Sequence, residues 1–521
     1  GLAVNDQVSD SPTNNYCTLN PLRLTSDATK QVFSDGNLVV TRGAVNSRGG
    51  VGTFAPTSGK WYWEGTLTTY AGGTINEIFV AAVADDISTA LGFSGDFTGV
   101  RPVDGLVTKF DDSETIFAGG VGVQGDVYSF EMDLGIPQIE IFKNGSSFVT
   151  DTTMTAADVA KGIGPAYTIA NNSKFTFNFG QQSFVHTPST GFLSLNSSNL
   201  PTPTIADPSD YFHTELYTGN GTSQSRTFDF EPDLIWFKDR SITANHSLYD
   251  SVRGVTKRLS SSISNGESNQ TTLTSFNSDG FTINGDGGGD AINASGDSFV
   301  AWNWIEGSTP GFDIVSYTGT GSAHTEAHSL GAVPDMMIVK NRDAIEDWFV
   351  YHQGIDSTPE GDRLKLNSTT GSSASTVWDS TAPTDSVFTV SDDDPVNKLD
   401  DAFIAYLWAE IEGFSKFGTY TGDGAANGPF VWCGFRPAFL ITKRTDIAGD
   451  WLMMDSARNI FNVITKRLIS DSNVGEGTTN TLDFLSNGFK LRETSANINA
   501  TGGTYVFAAF AESPFKTARA R

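Results

Sequence analysis

The pentapeptide Tyr-Thr-Gly-x-Gly occurs at 217–221, at 317–321 and at 420–424, about 100 residues apart. Self-similarity at a fixed period means that one supersecondary unit is used three times, and any fold of this chain must respect that. Each copy is followed by the same succession. A proline (Pro232, Pro334, Pro437) opens an apolar run that ends six residues later on a lysine (Lys238, Lys340, Lys443). Then come "NHSLYD", "DWFVYH" and "DWLMMD" (245–250, 347–352 and 450–455), and after them "TKRLSS", "RLKLNS" and "TKRLIS" (256–261, 363–368 and 465–470). The first and third units share "SDGFTI" and "SNGFKL". Each unit closes on an apolar strand, "SFVAWNW", "AFIAYLWAE" or "YVFAAFAE", whose central alanines, Ala301, Ala405 and Ala508, keep the spacing.

The repeated pentapeptide reads as a strand-end turn, in which Tyr packs and the glycines supply turn conformations. A glycine loop that cradles phosphate needs a strand-to-helix context, and no helical pattern follows any copy. Residues 188–210 are rich in Pro, Ser and Asn and read as a linker. The expected organisation is therefore the end of an upstream domain or a linker at 1–13, a sandwich at 14–187 and the linker at 188–210. Repeats follow at 211–307, 308–413 and 414–513, with a basic tail at 514–521 that carries Lys516, Arg519 and Arg521. Three similar units multiply a surface, which points to structural or multivalent binding work, whereas catalysis needs one unique constellation.

Upstream of the repeats, "GKWYWEGTL" (Gly59–Leu67) is a dense aromatic strand. "VYSFEMDL" and "IEIFKNG" alternate around "GIPQ" as a hairpin does, and "KFTFNFG" puts Phe175, Phe177 and Phe179 on one face. Abundant Gly (54) and the scarcity of helical periodicity agree: the fold class is all-β, an antiparallel β-sandwich followed by three homologous β-rich modules. Three motifs, at Gly59–Glu64, Gly125–Gly145 and Phe175–Gly180, resemble in order those of the SPRY domain, a concanavalin-like sandwich. The resemblance covers about residues 14–187 and implies a binding module whose loops engage partners. "FEMDLG" also resembles the start of the E-x-D-x-x-E strand of laminarinase-like glycoside hydrolases. There, alternate carboxylates give a nucleophile and an acid about 5 Å apart. Glu131 and Asp133 are present, but Ile136 holds the third acidic place, so solvated carboxylates on a sandwich face are expected and no enzyme.

"SDSPTNNYCTLNPL" (Ser9–Leu22) resembles a junction of phage tail-fibre-like proteins, where a laminin-G-like lectin domain precedes the SPRY-like one. Residues 211–521, with the ending "FAESPFKTARAR", resemble a module of unknown function that follows SPRY-like domains in bacteriophage virion proteins. The chain opens at Gly1 with no initiator Met and no signal-like stretch, so Gly1–Val8 reads as the end of that upstream domain. The resemblance implies a non-enzymatic virion protein of tail-fibre or receptor-binding type. It would be made in the host cytoplasm and be extracellular when free. It would bind other virion proteins and a host-surface glycan or protein, and assemble as a homotrimer. An architectural virion protein without host contact is the alternative, and a glycan depolymerase the second.

The 521 residues carry 60 acidic against 33 basic side chains, a net charge of -27, which repels nucleic-acid phosphates and anionic membranes. No apolar run reaches the ~18–20 residues of a membrane span. Cys17 and Cys433 lie far apart and are expected to remain thiols. Among the six histidines, "HTEAH" (His324–His328) has an i, i+4 spacing, but Thr325 stands where a metalloprotease helix needs Glu. No G-x-S-x-G elbow supports a Ser-His-Asp triad. Two acidic loops offer hard oxygen ligands to Ca²⁺, with Asp286 and Asp290 in one and Asp392, Asp393 and Asp394 in the other, although neither fits an EF-hand. Trp61, Trp63, Trp236, Trp302 and Trp304 are the aromatic candidates for stacking on sugar rings, against the ordinary role of filling β cores.

Overall fold

In the computed structural model of the chain, the residues described are 15–24, 31–42, 48–69, 77–82, 97–102, 104–110, 113–116, 121–169, 172–285 and 292–517, with backbone alone at 48, 77–82 and 114–116. The chain forms two compact units, Gly1–Thr202 and Pro203–Arg521. Strands dominate both, and no helix among the described residues is long and apolar enough to cross a membrane.

The first unit is a two-sheet antiparallel sandwich. One sheet orders Leu19–Leu24, Arg48–Gly52, Ile163–Ile169, Glu77–Ala82, Phe97–Arg101, Leu106–Thr108 and Glu114–Ile116. The other orders Ser146–Asp151, Gln138–Lys143, Val127–Asp133, Lys60–Thr69, Lys174–Asn178, Val39–Arg42 and Gln31–Ser34. The aromatic alternation packs as its period requires: Phe175, Phe177 and Phe179 are buried, Phe177 stacks on Phe179, and Trp63 stacks on Phe130. Leu193–Ser194, inside the stretch that composition reads as linker, adds a parallel strand to Lys60–Thr69, because Leu195 supplies an apolar side chain that buries completely.

In the second unit each repeat builds its sheet on the same run of four strands, in the order first strand, closing strand, proline strand, fourth strand, which stands alone in repeat one and is extended to six strands in repeat two and eight in repeat three. In repeat one these are Phe212–Thr218, Ser298–Trp304, Leu234–Asp239 and Ser247–Asp250. In repeat two they are Phe312–Thr318, Ala402–Trp408, Met336–Asn341 and Phe349–His352. In repeat three they are Ser415–Thr421, Thr504–Pro514, Phe435–Arg444 and Trp451–Asp455. The outer face of each sheet buries its own apolar cluster, for example Tyr317, Val339, Phe388 and Phe403 in repeat two. The inner faces of all three sheets meet in one common core.

That common core is layered by strand register. Leu234 pairs with Trp304, Trp236 with Trp302 and Lys238 with Val300. The second repeat sets Met336 against Trp408, Ile338 against Tyr406 and Lys340 against Ile404. The third sets Phe439 against Phe510, Ile441 against Ala508 and Lys443 against Val506. This register corrects the alignment of the closing strands by one residue. Ala508 occupies the inward place of Trp302 and Tyr406, and Phe507 is the partner in kind of Ala301 and Ala405. The doubled alanine of "FAAF" hides the slip, and a one-residue shift moves a side chain to the opposite face. Phe507 fits there because Gly418 lies opposite, where a Cβ would come within 2.8 Å of its ring.

The three repeats close on one another head to tail. The loop after each Lys/Arg-Leu element docks on the following repeat through two backbone bonds. Glu346 N–H reaches Ser264 O at 3.0 Å and Glu267 N–H reaches Arg342 O at 2.6 Å. Gly449 N–H reaches Thr369 O and Ser372 N–H reaches Thr445 O, both at 2.8 Å. Repeat three returns to repeat one, with Ala244 N–H on Asn473 O at 2.8 Å and Glu476 N–H on Arg240 O at 2.9 Å. Equivalent heterologous contacts that return to their origin make a closed ring, so the unit has a pseudo-three-fold axis through the shared core.

Candidate functional site

First strands and proline strands run toward one end of the ring, and this end collects the three Tyr-Thr-Gly-x-Gly turns and the three loops that follow the lysines. The turns are built alike. Tyr217, Tyr317 and Tyr420 donate their hydroxyls to the carbonyls of Ile292, Val396 and Ile498 at 2.6, 2.6 and 3.0 Å. The next residues, Asn293, Asn397 and Asn499, are fully buried, and their side-chain oxygens accept the backbone N–H of Asn220, Thr320 and Asp423. A Cβ on Gly219, Gly319 or Gly422 would strike the backbone carbonyl of Ala294, Lys398 or Ala500. Gly221, Gly321 and Gly424 hold φ of +67°, +67° and +71°. The motif is thus a strand-end turn. Its partner asparagine, five residues before each closing strand, escaped the sequence reading, although the recurring "IN", "VN" and "IN" is its trace.

The loops after Lys238, Lys340 and Lys443 are held by those lysines. Each amine is buried and donates to a carbonyl of the preceding repeat: Asn473 O at 3.4 Å, Ser264 O at 3.1 Å and Thr369 O at 2.8 Å. A second bond goes to a carbonyl of the lysine's own loop or strand end, at Asp239, Asn341 or Gly449. Burial pushes each amine down to about 8. A ring N–H eight residues on adds a further bond across each seam, from Trp348 to Ser260 O, from Trp451 to Lys365 O and from His246 to Ile469 O, all at 2.9 Å.

Two of the three seams carry matched charge relays. Buried Asp250 pairs with Arg253 at 2.6 Å and accepts the Tyr406 hydroxyl at 2.7 Å; Glu267 gathers Arg253, Lys257 and, from the next repeat, Arg342 at 2.9 Å. Buried Asp455 pairs with Arg458 at 2.6 Å and accepts the Trp302 N–H at 3.0 Å; Glu476 gathers Arg458, Lys466 and Arg240. Burial alone would raise Glu267 and Glu476, yet the three cations around each hold them below the ordinary glutamate value. At the remaining seam His352 replaces the aspartate, Ile355 the arginine, Ser372 the glutamate and Ala508 the aromatic. Here Thr445 stands in the place of Arg240 and Arg342 and accepts the Ser372 N–H on its carbonyl, at 2.8 Å. His352 gives its Nε2 proton to Phe507 O and accepts Gly354 N–H on Nδ1, each at 3.0 Å, and burial pushes it down to about 4.

The residues singled out in the sequence are not brought together. Trp61, Trp63, Trp236, Trp302 and Trp304 are at most 4% exposed. They sit in the apolar cores, with no ring face open to a sugar, which corrects their assignment as stacking residues. Asp392 and Asp394 are exposed and separate, and Asp393 accepts the Thr376 hydroxyl at 2.8 Å. Asp286 and Asp290 lie outside the described residues. Among those described, no group of three or more His, Cys, Asp or Glu has the geometry to hold a metal ion. Glu131 and Asp133 are buried, not solvated as expected: Glu131 accepts Ser189 N–H, and Asp133 pairs with Lys60 at 2.6 Å. His324 lies on the strand His324–Ala327, so "HTEAH" is no helix. Cys17 and Cys433 are free and buried.

A family described as Domain of unknown function (DUF7483) matches residues 207–514. No curated protein sequence matches the chain. Among solved structures, the chain is similar to the SPRY domain of human HERC1, at 15% identity over 32% of this chain and 99% of that one, with a TM-score of 0.25. A human SPRY domain follows at 12% identity over 30% and 98%, and the stonustoxin structure at 14% over 32% and 27%, both with TM-scores of 0.25.

Proposed function

The chain belongs to the DUF7483 family, a domain of unknown function, and from that premise we propose that it is a non-enzymatic virion protein of tail-fibre or receptor-binding type that attaches to a host surface through the loops of its β modules. The observation that carries this reading is the direction in which the recurring polar residues face. The lysines, the Asp–Arg pairs and the buried asparagines that recur between repeats all point into seams and turns, where they are fully engaged. A catalytic group must be within reach of a substrate, whereas these groups hold a platform rigid and leave its loops outside. The phage setting comes from the resemblance of Ser9–Leu22 and of residues 211–521 to virion proteins, as does assembly with other virion proteins and into a homotrimer.

Burial of all five candidate tryptophans favours the second reading, an architectural component without host contact, because it removes the named sugar-stacking groups. Binding of the labelled chain to intact candidate host bacteria, with and without competing host glycan, separates the two. Saturable binding supports attachment, and its absence from a folded chain supports the architectural role.

A further inference from the structure

The loops that follow the buried lysines of repeats one and two begin with the same turn, which differs between them by one atom. In repeat two Asn341 accepts the N–H of Asp343 and of Ala344 on Oδ1, both at 2.9 Å, and its Nδ2 donates to Asp401 at 2.9 Å. Asp239 stands at the same place in repeat one and accepts Ser241 N–H at 2.7 Å and Ile242 N–H at 3.1 Å on Oδ1. Its Oδ2 therefore takes the position of the Asn341 amide nitrogen. The facing residue is again an acid: Asp297 and Asp401 are equivalent, since their carbonyls accept Gly219 N–H and Gly319 N–H, each at 2.9 Å. A donor and an acceptor in repeat two are thus two carboxylates in repeat one.

The other repeats balance the charge at this place. Lys398 meets Asp401 at 3.2 Å, and Ala294 stands where repeat one would need that lysine. In repeat three Arg444 takes the place of Asp239 and pairs with Asp446 at 2.7 Å, while Gly503 replaces the facing acid. The buried lysine one residue earlier is common to all three repeats, so it does not offset the difference. Asp239 is 2% exposed, and among the described residues no hydrogen-bond donor reaches its Oδ2. Burial, and after it the charge of Asp297, push the Asp239 carboxyl above the ordinary aspartate value, although two backbone N–H groups hold it down. A buried carboxylate without a counter-charge is strongly destabilising, and an unsatisfied buried oxygen of this kind marks the place of an ion.

We propose that Asp239 and Asp297 bind one divalent cation, calcium by its chemistry, which closes the turn of repeat one where an amide closes that of repeat two. Both side chains offer oxygen alone, the preference of a hard cation, and two carboxylates match its charge. Asp239 presents one fixed oxygen, because the backbone bonds hold the other. Asp297 is half-buried, so water completes the roughly 6–8 oxygens that calcium takes. The cation ties the loop of Arg240 and Ala244, on which repeat three closes the ring, to the start of the closing strand of repeat one, a join that Ser298 N–H already makes to Ser241 Oγ at 2.8 Å. The site is independent of the attachment reading.

The test uses the full chain, stripped of metal with EDTA and titrated with calcium chloride, followed by calorimetry and by thermal denaturation. The parent binds calcium with a Kd of about 10⁻⁴ M, and calcium at about 100 times that value raises its melting temperature by about 4 °C. Asp239→Asn rebuilds the contact that Asn341 makes with Asp401. It is expected to melt above the metal-free parent and to gain nothing from calcium. Asp297→Asn weakens calcium binding at least about tenfold by removing one of the two carboxylates. A parent indifferent to calcium overturns the inference, and an Asp239→Asn variant that still melts above it would show that the pair shares a proton instead. A parent and two variants that respond alike place calcium elsewhere on this acidic chain, which also overturns it.

Discussion

Arg240 and Glu476, 236 positions apart in the chain, form a salt bridge at 2.8 Å, and Glu476 is one-twelfth exposed or less. The pair belongs to the one seam that no peptide connection spans, between repeat three and repeat one. Arg342 and Glu267 repeat it at 2.9 Å across the seam of repeats one and two, while the seam of repeats two and three has none. The seam without a covalent link is thus one of the two that carry the full charge relay. Buried ion pairs are weak evidence of stability but good devices for register, so the relays are best understood as setting which repeat meets which.

A double-mutant cycle on Arg240→Ala and Glu476→Ala should give a coupling energy of about 1–3 kcal/mol in urea unfolding. Arg342 and Glu267 should give a similar value. Coupling within error of zero at both pairs would mean that the charges do not hold the seams.

The glycine turns should be intolerant of the smallest side chain. Gly319→Ala drives a Cβ into the Lys398 carbonyl and should cost more than about 3 kcal/mol, whereas Tyr317→Phe, which leaves the Val396 carbonyl unpaired, should cost about 1–3 kcal/mol. Equilibrium denaturation of the two variants checks the order.

Glu306, Glu410 and Glu512 stand at one equivalent place, six residues after Val300, Ile404 and Val506. Glu410 meets Lys416 at 2.6 Å and Glu512 meets Arg436 at 3.1 Å, but Glu306 faces Asp313 and Asp233. Burial, then the shared hydrogen bond and the charge of Asp313, push Glu306 up to about 8 from 4.5. The folded chain therefore keeps a proton that the unfolded chain releases. Stability from this group is full below pH 4.5 and is lost as pH rises through about 8. Glu306→Gln should flatten that decline in denaturation curves taken from pH 5 to 8.5; an unchanged slope would place the proton elsewhere.

His352 has the opposite sign. Burial lowers it to about 4 from 6.5, so on acidification the unfolded chain takes up a proton first. Stability is full above pH 6.5 and falls as pH drops toward 4, by about 3 kcal/mol at most. His352→Gln should lessen the loss of stability between pH 6.5 and 4.5 relative to the parent, and an identical loss would show that this ring does not contribute.

Much of this architecture was legible in the sequence. The period of about 100 residues, the alternation of Phe175, Phe177 and Phe179, and the turn character of Tyr-Thr-Gly-x-Gly come from local chemistry, and the fold carries them. Ring closure was not legible, because Arg240 with Glu476 and Trp302 with Asp455 are contacts between distant positions and leave no local pattern. The tryptophans misled for a related reason. A large aromatic at an alternate strand position serves a core or a binding face equally well, and only the second layer of sheets shows which. Ala508 misled because two adjacent alanines conceal a register shift that only the pairing of Lys443 with Val506 reveals.

The central claim is that the three repeats are one closed cooperative unit. Hydrogen exchange of the full chain across a urea series, followed by mass spectrometry of peptides from each repeat, tests it most directly. In a closed ring the closing strands 298–304, 402–408 and 504–514 lose protection together at a single midpoint. Three separate midpoints, or early loss at the amides of Ala244 and Glu476 while the repeats stay protected, would show independent modules in tandem and contradict the ring.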